Sequence, residues 1–402
     1  MLLAKRVSRI IPSLTLSLTA KAKAMRKQGM DVIGLAAGEP DFDTPEHIKE
    51  EVKKALDEGF TKYTPASGIT ELKEAICEKF AKDNSLNYKP SEIIIGCGAK
   101  HCLYNAIQVL CEKGDEIILP APYWVSYLEQ IKLSGARPVV VRTKKEDGFK
   151  ITPELLLKNI TRRTKLLILN TPSNPTGSVY SREELEGIAE VAAKKHIYVI
   201  SDEIYEKIVY DDIQHVSIAS FSPQIKELSI VINGLSKTYS MTGWRIGYAS
   251  ADEKIIKAMS NLQSHSTSNP VSFVQRAAIV ALCSSQNWVN EMVAEFKRRR
   301  DYMLERLDQI QELSCIPPQG AFYLFPDISK MLGKFFNEKE VKSSLDFSQL
   351  LLEEAKVSVV PGSAFGADNH IRLSYATSME DIARGMDRIQ EMVNKIVKYH
   401  LG

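Results

Sequence analysis

Short apolar runs rich in β-branched residues alternate with helix-start signals along most of this 402-residue chain, and this alternation constrains its fold most strongly. Each run has about the length of a buried strand. The runs span residues 93–95, 117–119, 139–141, 166–169, 198–200 and 230–232. Strands that alternate with helices are typical of βα units that build a mainly parallel sheet. The sequence therefore predicts an α/β fold whose large sheet domain covers residues 46–288.

Three helix starts are marked by specific residues. Thr44-Pro45-Glu46 and Thr152-Pro153-Glu154 each place a hydroxyl that can cap a helix before a first-turn proline. Ser181-Arg182-Glu183-Glu184 has the spacing of a capping box. We expect a helix to follow each of the three.

The pattern changes after residue 288. A charged helical stretch runs through residues 297–300, and a last helix is predicted from about Ser378. Apolar segments at 320–324, 357–360 and 370–373 lie between them. These elements predict a smaller α+β domain over residues 289–402. Residues 1–45 are interpreted as an N-terminal arm and part of that domain, because Pro12 and interleaved hydroxyls break the apolar stretch that a targeting peptide requires.

Composition narrows the classes of partner. The 52 basic and 50 acidic residues nearly balance without long blocks of one sign, which argues against nucleic acid or an anionic membrane as partner. No apolar run approaches the ~20 residues of a membrane span. The six cysteines include no C-x-x-C pair and no zinc-like ligand set, and unpaired thiols suit a reducing compartment. We therefore expect a cytoplasmic protein with no metal and with a small-molecule partner.

Polar side chains follow three of the apolar runs. Asn174 lies in the segment after the run at 166–169, Asp202 and Tyr205 follow 198–200, and Lys237 follows 230–232. Alone, an Asn or Asp is more often a cap or turn residue, and a Lys is more often a surface amine. Because ligands bind at the carboxyl ends of parallel strands, their joint occurrence there predicts one functional site.

A candidate anion-binding loop follows the first run. Gly96-Cys97-Gly98-Ala99-Lys100 has the pattern of a loop that opens a helix, whose backbone N–H groups would point at a phosphate. A dinucleotide fingerprint is disfavoured, since His101 replaces the third glycine and the next strand ends in Pro120-Ala121-Pro122 without an acid. The chain also has no P-loop Gly-Lys-Ser/Thr.

Residues 236–248, S-K-T-Y-S-M-T-G-W-R-I-G-Y, resemble the lysine motif of the class I, fold-type I aminotransferases, which use pyridoxal 5'-phosphate (PLP). Supporting segments occur in the family's order at residues 34–42, 63–68, 122–124, 170–177, 202–205 and 372. Within the family they are most similar to the bacterial-type aspartate aminotransferases. The resemblance implies a mainly parallel seven-stranded sheet between helices, with a smaller α+β domain.

The resemblance also implies roles around the cofactor ring. Lys237 would bond covalently to the PLP aldehyde and then serve as the base that moves the substrate Cα proton. Asp202 would keep the pyridine nitrogen protonated. Asn174 and Tyr205 would donate hydrogen bonds to the ring phenolate, and Trp124 would stack on the ring face.

At the phosphate end, the resemblance implies that Gly98, Ala99 and Lys100 bind the phosphate together with Ser236 and Arg245. Tyr63 would reach this site from a neighbouring subunit. The implied assembly is therefore a homodimer with shared active sites.

For the substrate, the resemblance implies that Arg372 grips the α-carboxylate while Gly38 lets the backbone approach it. Trp124 and Asn174 would also contact the substrate. Some relatives bind a distal carboxylate with an arginine in the region of residues 261–270, but this chain has no arginine there. The bacterial-type enzymes that it resembles carry a lysine just after the phosphate-loop glycine, and Lys100 matches that lysine. The resemblance therefore implies that Lys100 meets the distal carboxylate, with support of the phosphate alone as the alternative.

The implied reaction is ping-pong transfer of an amino group from L-aspartate to 2-oxoglutarate. An aminotransferase of aromatic amino acids or prephenate, or a carbon–sulfur lyase, uses the same scaffold and stays open. A PLP-sensing transcription regulator is disfavoured, because the residues before the predicted sheet domain are too few for a helix-turn-helix module.

Overall fold

The structure, a computed structural model, describes residues 4, 10 and 14–401. Its strands are β1 (Ile33–Gly34), β2 (Ile93–Gly96), β3 (Glu116–Ala121), β4 (Arg137–Arg142), β5 (Thr164–Asn170), β6 (Tyr198–Asp202), β7 (Ser229–Gly234), β8 (Gly247–Ser250), β9 (Tyr323–Leu324), β10 (Phe335–Phe336), β11 (Lys339–Glu340), β12 (Val357–Ser358), β13 (Val360–Pro361) and β14 (Ile371–Ser374).

The helices are α1 (Leu14–Lys27), α2 (Glu46–Asp57), α3 (Thr70–Asn84), α4 (Ala99–Leu110), α5 (Val125–Ser134), α6 (Pro153–Asn159), α7 (Arg182–Lys195), α8 (Pro223–Leu228), α9 (Glu253–Ser264), α10 (Ser272–Cys283), α11 (Asn287–Asp308), α12 (Ser344–Glu353) and α13 (Met379–Leu401). Short 3-10 turns lie at Pro90–Glu92, Ile218–Ser220, Thr242–Trp244, Ser329–Met331 and Gly362–Phe365. Within the described part of the chain, no helix is both long and apolar enough to cross a bilayer.

Seven strands form one sheet in the order β2-β8-β7-β6-β5-β3-β4. Strand β8 runs antiparallel to both of its neighbours, and the other pairings are parallel. The six apolar runs are strands β2 to β7, so the mainly parallel seven-stranded sheet is confirmed. The seventh strand, β8, was not among those runs.

The strands are apolar throughout because helices cover both faces of the sheet. In β5, Leu166 and Ile168 pack into one apolar cluster with α4, α5 and α9, whereas Leu167 and Leu169 pack into a second cluster with α6 to α8. Burial of alternate side chains on opposite faces explains the continuous apolar runs of parallel strands. Because both faces of the sheet are covered, polar side chains can reach a cavity only at the ends of the strands.

Two of the three predicted helix caps are confirmed. Thr152 Oγ1 accepts from Leu155 N–H, and Ser181 and Glu184 form the reciprocal capping box. The prediction for Thr44 was wrong. Pro45 is the residue before α2, and the Thr44 hydroxyl donates to the Ser240 carbonyl at 2.7 Å. This hydroxyl therefore ties the start of α2 to the loop that carries Lys237.

A smaller sheet of three antiparallel strands, β13-β14-β9, lies in the C-terminal part of the chain. Its core includes residues of α11 and α13, and it also takes in Tyr205 and Ile208 from the turn after β6. The turn that carries Asp202 is therefore packed between the large sheet and this second core. In the N-terminal region, Leu18 and Ala22 of α1 pack near Val32.

Candidate active site

A cavity of about 930 Å³ lies at the carboxyl edge of the large sheet. The ends of β5 and β6 form part of its wall, where Asn170 pairs in register with Asp202. Eleven residues predicted from the sequence line it: Gly38, Ala99, Lys100, Trp124, Asn174, Asp202, Tyr205, Ser236, Lys237, Arg245 and Arg372. Of the other two, Gly98 lies behind the lining against Arg245, and Tyr63 is 89% exposed on the surface.

The Lys237 amine lies in the cavity wall, just after β7. Its Nζ donates to the Gly38 carbonyl oxygen at 2.5 Å. Burial lowers the Lys237 pKa to about 8, and the nearby cations of Arg372, Arg245 and Lys100 act in the same direction against Glu39. About one tenth of the amine is therefore neutral at pH 7, a form that can attack an aldehyde.

Asp202 is a buried carboxylate without a protein cation bonded to it in the described structure. Tyr127 donates its hydroxyl to Oδ2 at 2.7 Å, and the Ile204 N–H donates to Oδ1 at 3.3 Å. Burial raises the Asp202 pKa to about 6 in spite of these two donors. A carboxylate in this position is stabilised by a cationic ligand, and a protonated pyridine nitrogen has the required charge.

Asn174 and Tyr205 both line the cavity. The Asn174 Oδ1 accepts from Arg372 Nη1 at 2.9 Å, and this contact turns the amide toward the arginine. The Tyr205 hydroxyl shares a hydrogen bond of 2.8 Å with the Tyr323 hydroxyl. Both side chains are buried, so a ligand that enters meets polar groups of fixed orientation.

Arg372 is a candidate binding group for an anion. Its side chain is held by Asn174, by the Ala36 carbonyl at 2.9 Å and by the ring of Tyr323, whose centroid lies 4.3 Å from the guanidinium carbon. Its Nε is buried and has no hydrogen-bond partner among the described residues. An incoming carboxylate would satisfy this donor.

The candidate phosphate site lies where the start of α4, Arg245 and β8 approach closely. Helix α4 begins at Ala99, and the N–H groups of Ala99 and Lys100 have no acceptor within the helix, whereas the His101 N–H donates to the Gly98 carbonyl at 3.0 Å. Gly98 has φ +89°, and a Cβ there would lie 2.5 Å from the Arg245 guanidinium. A Cβ at Gly247 would lie 2.3 Å from the Ala99 nitrogen. Only glycine at both positions allows Arg245 and the helix start to face one anion.

Taken together, these groups fit PLP. Lys237 offers an amine for the aldehyde and Asp202 a counter-charge for the ring nitrogen. The start of α4, Ser236 and Arg245 offer donors for the phosphate. The Lys100 ammonium lies 4.9 Å from the Trp124 ring centroid at the same cavity, and partial burial together with Arg245 lowers its pKa.

Sequence reasoning missed two aromatic residues of the site. Tyr127 donates to Asp202, and Tyr323 contacts both Tyr205 and Arg372. Tyr127 lies three residues after Trp124, so the helical spacing from that residue was an available signal. Tyr323 had no comparable signal, because it reaches the site from a distant part of the chain.

Comparison with known proteins gives consistent matches over the whole length. The family described as "Aminotransferase class I and II" matches residues 30–389. The aspartate aminotransferase of Geobacillus stearothermophilus is 51% identical over 396 residues, which cover 98% of this chain and 99% of that protein.

Solved structures agree with the sequence matches. The aspartate aminotransferase of Rhizobium meliloti superimposes with a TM-score of 0.95 at 43% identity, and that of Thermus thermophilus with maleate at 0.92 and 42%. Each covers 98% of this chain and 100% of the solved chain. The fold predicted from the sequence is therefore that of the solved aminotransferases.

Proposed function

This chain belongs to the class I and II aminotransferases, and from that membership we propose that it transfers the amino group of L-aspartate to 2-oxoglutarate with PLP as cofactor. The observation that carries the proposal is the cationic cavity. Arg372 has an unpartnered buried N–H, and Lys100 lies at the same cavity with a lowered pKa. A substrate with two carboxylates matches both cations.

PLP supplies an aldehyde that reacts with amines and a ring that accepts the electron pair left on the substrate Cα. The residues of the chain hold it in place. Lys237 would bond to the aldehyde, Trp124 would cover one ring face, and Ser236, Arg245 and the first N–H groups of α4 would hold the phosphate. Asp202 would hold a proton on the ring nitrogen, and Asn174 and Tyr205 would bind the phenolate oxygen.

Lys237 is the residue proposed to move the substrate proton. When its Nζ is free of the cofactor, Lys237 would take the proton from the substrate Cα, since a neutral amine is the form that accepts protons. Arg372 would fix the α-carboxylate, so that the Cα proton faces this nitrogen. The single cavity would serve both half-reactions in turn, with aspartate leaving as oxaloacetate before 2-oxoglutarate enters.

The Lys100 ammonium is proposed to bind the distal carboxylate. Lys100 lines the cavity and forms no ion pair with a carboxylate among the described residues, while burial and the Arg245 guanidinium both lower its pKa. The Thermus thermophilus relative was solved with maleate, a four-carbon dicarboxylate, which supports a substrate of this class.

Replacement of Lys100 by alanine is expected to raise the KM for aspartate by about 5- to 150-fold, the equivalent of about 1 to 3 kcal/mol for a charge-assisted hydrogen bond. The KM for alanine, which has no distal carboxylate, should stay within about twofold. Lys23→Ala is the matched control, because it removes an exposed ammonium from the same cavity wall. Equal losses for both amino acids would contradict the assignment and leave Lys100 a phosphate residue.

The proposed reaction can be tested one half at a time. The PLP-loaded enzyme is mixed with single amino acids, and the conversion of the cofactor spectrum to that of the amino form is followed. Aspartate and glutamate should convert the cofactor at least about tenfold more efficiently than phenylalanine, a difference of about 1.4 kcal/mol. Release of ammonia and pyruvate from an amino acid that carries sulfur on Cβ, with no oxo-acid acceptor added, would identify a carbon–sulfur lyase instead. A preference for phenylalanine would identify an aromatic aminotransferase.

The assembly and location are also proposed. We expect a homodimer in which Tyr63 reaches the phosphate of the neighbouring subunit, since the family has this arrangement, Tyr63 is 89% exposed in one chain, and tyrosine is enriched at subunit interfaces. The cytoplasm is the proposed compartment, because the six cysteines are all free. Amino acids and 2-oxo acids are the expected small partners.

A further inference from the structure

The turn after β6 points its side chains in two opposite directions. Asp202 and Tyr205 line the cavity, whereas Glu203 and Glu206 do not. Both glutamates are nevertheless buried, with Glu203 fully inaccessible. Two acidic side chains buried behind a cofactor site require an explanation, because a charge removed from water must be paired and hydrogen-bonded.

Glu203 is fully bonded on both carboxylate oxygens. The hydroxyls of Ser201 and Ser217 donate to Oε1 at 2.8 and 2.7 Å. His215 Nε2 lies 3.0 Å from Oε2. These partners come from β6 and from the loop that follows the turn, so they connect Glu203 to two separate segments.

Glu206 is bonded to helix α3. Its carboxylate forms an ion pair with Lys79 and accepts from Asn84 Nδ2 at 3.1 Å. Lys79 in turn donates to Asn84 Oδ1 at 2.7 Å. Burial alone would raise the Glu206 pKa, but Lys79 and His215 lower it to about 2. The carboxylate is therefore ionised and held on one side of the turn.

The two glutamates form one cluster. Ligand-type atoms of Glu203, Glu206 and His215 lie within 4.8 Å of one another, as they do in some metal sites. Here the Lys79 ammonium already supplies the cation, and the hydroxyls of Ser201 and Ser217 already donate to Glu203 Oε1. The cluster is therefore an internal ion network.

We propose that this network, the buried clamp formed by Lys79, Asn84, Glu203, Glu206, His215 and Ser217, fixes the turn so that Asp202 and Tyr205 keep their orientation toward the cofactor ring. Asp202 and Glu203 are adjacent, as are Tyr205 and Glu206, so a rotation of the turn that moves either cavity residue would break the buried hydrogen bonds of Glu203 or the buried ion pair of Glu206. The clamp residues are positioning residues, and the inference rests on the proposed function of the site.

The clamp can be opened without a change in volume. Glu203→Gln keeps the size and one acceptor oxygen but removes the charge. The double variant Lys79→Met, Glu206→Met replaces a buried ion pair by apolar side chains, a change that many proteins tolerate without loss of stability. Asp83→Asn is the matched control, since it breaks the 2.8 Å ion pair between Asp83 and Lys207 beside the clamp.

Three quantities are measured on each full-length enzyme, below the unfolding temperature shown by circular dichroism. They are the Kd of the apoenzyme for PLP, and kcat and KM for aspartate. Both clamp variants should raise the Kd for PLP. They should also lower kcat by about 10- to 100-fold, because small displacements of catalytic groups have effects of this size. The KM should stay within about twofold, since Arg372 and Lys100 are untouched, and the control should match wild type.

The possible outcomes separate the two proposals. If the clamp variants unfold at a lower temperature but keep the wild-type Kd and kcat, the network serves stability alone and the inference is wrong. If KM rises as much as kcat falls, the site has collapsed generally, which also contradicts it. If the wild-type apoenzyme itself fails to bind PLP, the proposed function fails before the clamp is tested.

Discussion

Replacement of Lys237 by alanine is expected to lower kcat for aspartate by about 10⁴-fold, the upper range of what a positioned acid or base contributes. The variant loses the covalent attachment of PLP and the nitrogen that moves the Cα proton. Borohydride should fix PLP on the peptide that contains residue 237 in wild type, as seen by mass spectrometry, and leave no adduct in the variant. Lys254→Ala, which removes an exposed lysine at the start of α9, is the control and should keep both properties.

Lys237 also gives the covalent binding of PLP a defined pH dependence. Because burial lowers its pKa to about 8, the neutral amine increases about tenfold per pH unit up to that value and then levels off. The rate at which wild-type apoenzyme binds PLP covalently should follow this curve. A rate that still rises steeply above pH 9 would mean that the amine titrates as an ordinary surface lysine.

Replacement of Asp202 by asparagine is expected to change activity and stability in opposite directions. The kcat should fall by about 10²- to 10³-fold, since the ring nitrogen loses the charge that keeps it protonated. The apoenzyme should become more stable at pH 7.5. The folded-state pKa of Asp202, about 6, lies above the ordinary 3.8, so its ionisation opposes folding progressively as pH rises through this window.

Thermal unfolding of the two apoenzymes measures this effect. The asparagine variant should have the higher Tm at pH 7.5, and the difference should shrink toward pH 4, where the aspartate is protonated in the folded state. A variant that is less stable at pH 7.5 would show that the carboxylate has a stabilising cation already. Wild-type kcat in the variant would remove Asp202 from the proposed chemistry.

The sequence was sufficient to predict much of the sheet and to place several candidate site residues at one cavity, for a physical reason. Buried parallel strands are continuously apolar, so a polar residue at or just after the end of a strand can be recognised in the sequence. Asp202 ends β6, and Asn174 and Lys237 lie shortly after β5 and β7. Because all three strands are parallel, their ends meet at one edge, as expected.

The remaining features depend on contacts that a single sequence does not specify. Strand β8, Gly-Tyr-Ala-Ser, has no β-branched residue and is recognised as a strand only by its pairing with β2 and β7. Thr44 has the residue type of a helix cap, but a tertiary acceptor at Ser240 takes its hydroxyl. The clamp partner Lys79 is likewise an ordinary helix residue until α3 packs behind the turn.

The reversed direction of β8 sets a limit on how this enzyme can vary. The chain leaves the sheet edge after Gly234, carries Lys237, and returns through Arg245 to the same edge at Gly247. This short segment thus fixes the spacing between Lys237, the proposed covalent anchor of PLP, and Arg245, a proposed phosphate ligand. Many surface loops accommodate insertions. An insertion between residues 235 and 246 would instead move apart the two residues that are proposed to hold opposite ends of one rigid ligand.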